Sequence, residues 1–436
     1  MLLIVLISAV VLLILLITLF KFNAFIALVL VSILAGLSAQ MAPVDVIKAV
    51  QKGMGDTLGS LTLIITFGAL LAIILSETGA VRRISLGLID TFGMKYLGLS
   101  MALSAFVIGI VMFYNAGFIL LLPLVFSIAR RTGISLIQVV IPVSAALSVT
   151  HGFLPPHPAP SGIASLFGAN VGLVIIYGII VAIPAIFFSG ILFPRLLRGM
   201  DIKPSDKLFP ENENSNAPLP EFWPSLIAAL IPVVLMAVAT IGDLVLEKEN
   251  TIRQVLSFIG DPSTAMILGV FLAIPILGQQ KNFGAIMQKT STAIESVATI
   301  LLIVSGGGAF KQVLIESGIG DQLSALMEGI ELSPLFLGWL IATIIRVSLG
   351  SATVAGLMAA GIIQPMMVGS DVSPELMVLA IGAGSLMLSH VNDTGFWMFK
   401  EYMGLTVGQT FRTWTIMEGI VGVVGLIGVM LLSLVV

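Results

Sequence analysis

Ten segments of this 436-residue chain are apolar over about 18 residues each, the length that carries a helix across the hydrocarbon of one bilayer. They lie near residues 2–20, 24–41, 58–76, 135–150 and 171–194 in the first half, and near 222–241, 262–278, 293–315, 375–389 and 413–436 in the second. Hydrocarbon offers a backbone N–H or C=O no water to bind, so runs of this kind satisfy themselves internally as helices. With 58% hydrophobic and 10% charged residues, the composition lies outside that of soluble domains, and the chain reads as an all-α polytopic membrane protein. The first run, "MLLIVLISAVVLLILLITLF", has neither the basic n-region nor the small-residue cleavage site of a signal peptide and is expected to stay as a transmembrane helix. No cysteine is present, which removes disulfides, thiolate metal sites and cysteine nucleophiles together.

Two further apolar regions, 97–129 and 334–369, are interrupted at their centres by "FYNAG" (113–117) and "LGSATVAG" (349–356). Each is either two spans or one re-entrant helical hairpin, and the distribution of positive charge discriminates between these. If residue 1 is outside and both hairpins return to the side they left, most of the 20 Lys and Arg fall in the cytoplasm, among them Arg82, Arg83, Arg130, Arg131, Arg195, Arg198, Lys203, Lys207, Lys281 and Lys289. Only Lys48, Lys52, Lys248 and Arg253 fall outside, beside acids such as Asp243, Asp321, Glu328 and Glu331. The bias predicts about ten transmembrane helices plus two re-entrant hairpins. Lys311 and Arg346 remain within the membrane; Lys311, near the end of its span, is expected to snorkel.

The two halves resemble each other at a constant offset. "ETG" at 77–79 and "ESG" at 316–318 are separated by 239 residues, as are His151 and His390, and the same offset lays Gly117 on Gly356. Each half holds five full spans, an odd number, so the second copy is expected upside down relative to the first, an inverted repeat of the kind secondary transporters use. The expected organisation is residues 1–194 as the first repeat, a cytoplasmic linker at 195–221, and 222–436 as the second repeat. The linker, "RLLRGMDIKPSDKLFPENENSNAPLPE", is the one long stretch of soluble composition.

A span in each half is broken at matching positions. "HGFLPPHPAP" (151–160) carries Pro155, Pro156, Pro158 and Pro160, and proline has no amide to donate and clashes with the preceding turn, so the helix must unwind there. Unwound backbone survives in a membrane only where protein or a watery cavity satisfies it, so a cavity is implied. A half-helix restarting at "SGIASLFG" (161–168) would point its amides and positive dipole end into that cavity as an anion site. "SHVNDTG" (389–395) does the same in the second half, with Asn392, Asp393 and Thr394 as N-caps. Two breaks and two hairpin tips would then converge near the midplane. The alternative is a proline-rich external loop and an ordinary capped helix.

The stretches "HGFLPPHPAP", "GSATVAG" (350–356), "HVNDTGFW" (390–397) and "GLTVGQTFRTW" (404–414) together resemble the gluconate permease family, the gluconate:proton symporters whose relatives carry idonate, fructuronate, glycerate and D-serine. The resemblance covers nearly the whole chain. It implies import of a small hydroxylated carboxylate, driven by protons, across the bacterial inner membrane. Similarity to the wider ion-transporter superfamily implies paired hairpins, a scaffold domain that forms a homodimer, and elevator-like movement of the other domain. The family commonly shows an aromatic pair, then Asp or Glu, then a small residue and Gly in the first hairpin; here the stretch is Phe113, Tyr114, Asn115, Ala116, Gly117, so the acid is replaced by Asn115.

Arg346, about one turn before the second hairpin tip, is the leading candidate for the substrate carboxylate, because a guanidinium inside the membrane is costly unless paired. The alternative is an internal salt bridge, with Asp393 as partner. Ser351, Thr353 and Asn115 offer hydroxyl and amide partners to a polyol chain, or cap helix tips. Tyr114, His151, His157, Asn392, Asp393 and Thr394 complete the expected binding set. Asp393, His151, His390, Glu77 and Glu316 are the candidates for proton coupling, against structural roles for the histidines and an aqueous-interface position for the two glutamates.

Catalysis finds little support. No His-Glu-x-x-His helix or Gly-x-Ser-x-Gly elbow occurs, so a membrane hydrolase built on His151, His157 and Ser161 lacks its parts, and neither a metal nor another cofactor is expected. A channel would not require two inverted halves with a break in each. The expected partners are the substrate, protons and the lipid bilayer, not nucleic acid.

Overall fold

The runs of apolar sequence become helices, in a computed structural model that describes residues 2–197, 199–200, 202, 219–278, 283–318, 332–367 and 371–436. Among the described residues every regular element is helical. Most of the 195–221 segment lies outside the described residues, as do Arg198, Lys203, Lys207, Lys281, Asp321, Glu328 and Glu331.

The first half opens with α1 (Leu2–Thr18) and α2 (Ala24–Ser38), the latter capped by Asn23, which accepts from the Phe25 amide. Next comes α3 (Pro43–Glu77), 35 residues and about 52 Å long at 1.5 Å per residue, well beyond one hydrocarbon thickness. The expected span of 58–76 is therefore only its second half. The added N-terminal turns bury Val46, Ala49, Val50, Gly53 and Thr57 along one stripe and leave Asp45, Lys48, Lys52 and Asp56 exposed on the other. Then follow α4 (Ala80–Phe92), α5 (Leu97–Val111), α6 (Tyr114–Thr132), α7 (Leu136–Phe153), α8 (Pro158–Phe167) and α9 (Val171–Ile186), the last continuing through a π-helical turn at Phe187–Leu192.

The second half comprises α10 (Phe222–Val245), α11 (Thr251–Ile259), α12 (Pro262–Ile276), α13 (Thr290–Glu316), α14 (Pro334–Leu349), α15 (Ala352–Met367), α16 (Pro374–Leu386), α17 (Thr394–Met403) and α18 (Ile416–Leu432). A π-helical turn at Phe411–Thr415 leads into α18. The span expected at 262–278 is preceded by α11, bent 69° from α12. Among the described residues eight helices are long and apolar enough to cross a membrane, or nine if that bent pair is one span; α1, α2, α14, α15 and α16 are apolar but shorter.

The first interrupted region folds back on itself. Gly98 of α5 faces Pro142 while Gly109 faces Leu147 and Thr150, so α5 runs in the same direction as α7. A three-residue turn at 133–135 joins α6 to α7, which makes α6 antiparallel to both. Among the described residues each half contains a long helix, a helix pair, a broken helix and a helix with a π-turn; the first half adds α4 after its long helix, and its π-turn ends the helix where that of the second half begins it.

One break is shorter than the prolines suggest. α8 starts at Pro158, not at 161, because proline at the first and third helical positions removes amides that have no intrahelical acceptor anyway. Only residues 154–157 are unwound. Lys311 donates from Nζ to the Leu166 carbonyl at 2.9 Å and so caps the C-terminal end of α8.

Candidate functional site

The first break is built by α5, α7 and the proline segment. His157, the N-cap residue of α8, is buried and its Nε2 lies 2.5 Å from the Gly109 carbonyl near the end of α5. Its ring packs on Phe113 at 6.0 Å and on His151 at 5.2 Å. The chain thereby pins the first hairpin tip to the first break. Nδ1 of His151 and Nδ1 of His157 are buried without a hydrogen-bond partner. The two broken helices cross here: a Cβ on Gly382 of α16 would stand 2.3 Å from the Gly152 carbonyl of α7, so this backbone approach requires glycine.

The second break is tied to the second hairpin in the same manner. Gly350 at the hairpin tip has φ +77, and a Cβ there would lie 2.2 Å from the Asn392 carbonyl, so glycine is required twice over. Asn392 returns a bond from Nδ2 to the Val347 carbonyl at 2.7 Å. Asp393 caps α17 by accepting from the Gly395 amide at 2.9 Å, and also accepts from the Ser389 hydroxyl. Its Oδ2 receives Arg346 Nη2 at 2.5 Å. Ser389 is held in turn by Trp414, whose Nε1 donates to it at 2.8 Å.

Arg346 is 3% exposed, and its Nε and Nη1 are buried without a partner. The guanidinium therefore spends Nη2 on Asp393 and keeps Nε and Nη1, planar N–H donors on different edges, open to an anion. The helix termini offer less than expected. Pro158 and Pro160 delete two amides from the first turn of α8 and the Ser161 amide is bonded to the His157 carbonyl, while the α17 terminus already holds Asp393. The positive pole of the site is the arginine.

The structure brings Arg346, Asp393, His151, His157 and Tyr114 together. Ser351 caps α15 through the Val354 amide, at 3.4 Å, and stands with Thr353 half-buried at the second tip. Thr394 and Asn115 are exposed, each at the start of a helix beside a break or tip. His390 accepts from the Asn392 amide at 3.4 Å, a bond internal to the break. Glu77 lies elsewhere, exposed at the end of α3 and paired with Lys289, and Glu316 bonds Gln312 at the end of α13. A cleft of about 330 Å³ between α3 and the first tip is lined by Ala69, Ala72, Ile73, Ile119 and Leu120 among others, and Arg346 is not part of its wall. Its lining is apolar apart from Ser76 and offers a carboxylate no cation.

A family model described as GntP family permease matches residues 1–435. The chain belongs to the GntP permease family. The permease is 46% identical to the Gnt-II system L-idonate transporter of Escherichia coli K12, over 95% of each chain. It is 44% identical to a high-affinity gluconate transporter of the same strain, over 96% of each, and 44% identical to the gluconate permease of Bacillus subtilis 168, over 95% of this chain and 96% of that one. Its fold is that of the Alcanivorax borkumensis YdaH transporter (TM-score 0.63, 17% identity, 87% of this chain and 86% of that one) and of Neisseria gonorrhoeae MtrF (TM-score 0.66, 15% identity, 93% of each). The permease is a transporter, not an enzyme, and a multi-pass protein of the bacterial inner membrane.

One group of this permease's centre escaped the sequence reading. Glu418, one turn after Trp414, is 1% exposed; one carboxyl oxygen accepts from Ser148 of α7 and the other has no partner. The hydroxyls of Ser144, a turn before Ser148, and of Tyr114 are likewise buried, and the two lie next to each other. The signal was present in the sequence, as a single acid inside the last apolar run, and intramembrane acids are functional candidates by default.

Proposed function

We propose that the permease imports gluconate or a closely related small hydroxylated carboxylate by proton symport. One observation carries this reading. A guanidinium with two unpartnered donors is buried where two helix breaks and two hairpin tips meet, and an anion of the right size would complete it. Arg346 binds the carboxylate, and Tyr114, His151, His157, Ser351, Thr353, Asn115, Asn392 and Thr394 serve the hydroxyl chain. The names of the curated relatives, gluconate and idonate transporters, support the same substrate class. The two halves act as inverted repeats, and the central site crosses the membrane by an elevator-like movement within a homodimer.

The test has two parts. Purified protein is screened by thermal shift against gluconate, idonate, fructuronate, glycerate, D-serine and citrate, since a ligand that binds only the folded state raises its melting temperature. Proteoliposomes are then assayed for counterflow of the best ligand. A carrier exchanges labelled for unlabelled substrate without any gradient, whereas flux without such exchange would identify a channel and end this reading.

A further inference from the structure

The binding set just described leaves one buried ionisable group without a task. Glu418 sits in the first turn of α18 with one oxygen on Ser148, its other oxygen unpartnered, and no cation among the described residues bonded to it. The other acid of the centre, Asp393, is fully employed: Arg346, Ser389 and the Gly395 amide all donate to it. His157 is committed to the Gly109 carbonyl.

We propose that Glu418 is the group that carries the coupled proton, which rests on the proton-symport reading above. An unpaired carboxylate enclosed in a membrane protein is strongly disfavoured, so a carboxyl in this position travels with its proton and releases it on meeting water. Its surroundings give the coupling its sign. Arg346 and Asp393 are close enough to act on Glu418 electrostatically, with Asp393 opposing the guanidinium. An anion arriving at Arg346 adds negative charge to that neighbourhood and favours the proton on Glu418. By linkage, the proton favours the anion to the same degree.

The other ionisable groups around α18 do not compete for this role. Tyr114 on α6 and His151 on α7 complete the ring around the centre. On α9, Tyr177 lies beside Gly178, which faces Leu154 and not Ser148. On α16, Glu375 binds the Asn170 amide at the far end, and Arg412 of the π-turn is exposed.

The experiment compares wild type with Glu418→Gln in proteoliposomes, measuring counterflow, pH-gradient-driven accumulation and alkalinisation of the medium during substrate entry. The expected result is counterflow within a few-fold of wild type, accumulation reduced at least tenfold, and no alkalinisation. Alkalinisation at the wild-type ratio by Glu418→Gln overturns the proposal, as does a variant that melts like wild type yet fails in counterflow. If the wild type itself alkalinises nothing, the proton-symport reading has failed, a result distinct from either. A probe that needs no variant is dicyclohexylcarbodiimide, which attacks protonated carboxyls in apolar surroundings. Mass spectrometry of the treated wild-type protein is expected to find Glu418 modified, less so as pH rises, and absence of modification at every pH overturns the proposal.

Discussion

Replacing Arg346 is expected to separate binding from stability, because the proposed function gives the arginine both jobs with different nitrogens. Nη2 holds Asp393 at 2.5 Å, while Nε and Nη1 are unpartnered. Removing one member of a buried ion pair costs about 3–5 kcal/mol. Here the lower end applies, because Asp393 is 13% exposed and keeps its bonds from Ser389 and the Gly395 amide. Arg346→Ala is therefore expected to lose about 3 kcal/mol and all substrate binding, and the double variant Arg346→Ala, Asp393→Asn to recover most of the stability and none of the binding. Arg346→Lys keeps a charge for Asp393 but has no further planar N–H donors for a second carboxylate. It is expected to fold nearly as well as wild type and to bind at least tenfold more weakly, about 1.4 kcal/mol. The assay is melting in detergent beside substrate affinity for all three proteins. Arg346→Lys or Arg346→Ala protein that melts cooperatively and binds gluconate with wild-type affinity would refute the assignment.

Gly350→Ala places a Cβ 2.2 Å from the Asn392 carbonyl at a left-handed φ, and is expected to lose at least about 1–3 kcal/mol with transport failing alongside; unchanged melting would show that the tip does not bear on the break. His157→Ala removes the bond to the Gly109 carbonyl and leaves a buried acceptor unsatisfied, for an expected loss of about 1–3 kcal/mol in the same melting assay. Because the chain has no cysteine, single cysteines at Ser215 and Val436 can report sidedness. Impermeant thiol reagent is expected to label Val436→Cys from outside and Ser215→Cys only from the cytoplasm, and the opposite pattern would invert the topology.

The sequence made the helices, both interrupted regions and Arg346 legible, because an apolar run of membrane length and a guanidinium inside one have few physical explanations. The early start of α3 was hidden by Asp45, Lys48, Lys52 and Asp56, which look like a loop until Val46, Ala49, Val50, Gly53 and Thr57 are seen to share one helical face. The restart at Pro158 was missed because proline terminates a helix from within yet begins one without loss. α11 is short and sits between charged residues, so its exposed stripe of Ile252, Val255 and Phe258 gave no span-like signal. The Arg346–Asp393 ion pair is the alternative already weighed for this arginine from the sequence, whereas the Ser148–Glu418 contact joins residues 270 apart and only the packing of α7 against α18 reveals it.

Proton-coupled import is tested most directly by loading proteoliposomes with a pH-sensitive dye and imposing, separately, an inward proton gradient and an inward sodium gradient. With protons as the coupling ion, gluconate is expected to accumulate under the first gradient alone, to acidify the lumen as it enters, and to stop accumulating when a proton ionophore is added. Accumulation that follows the sodium gradient and ignores the ionophore would contradict the account.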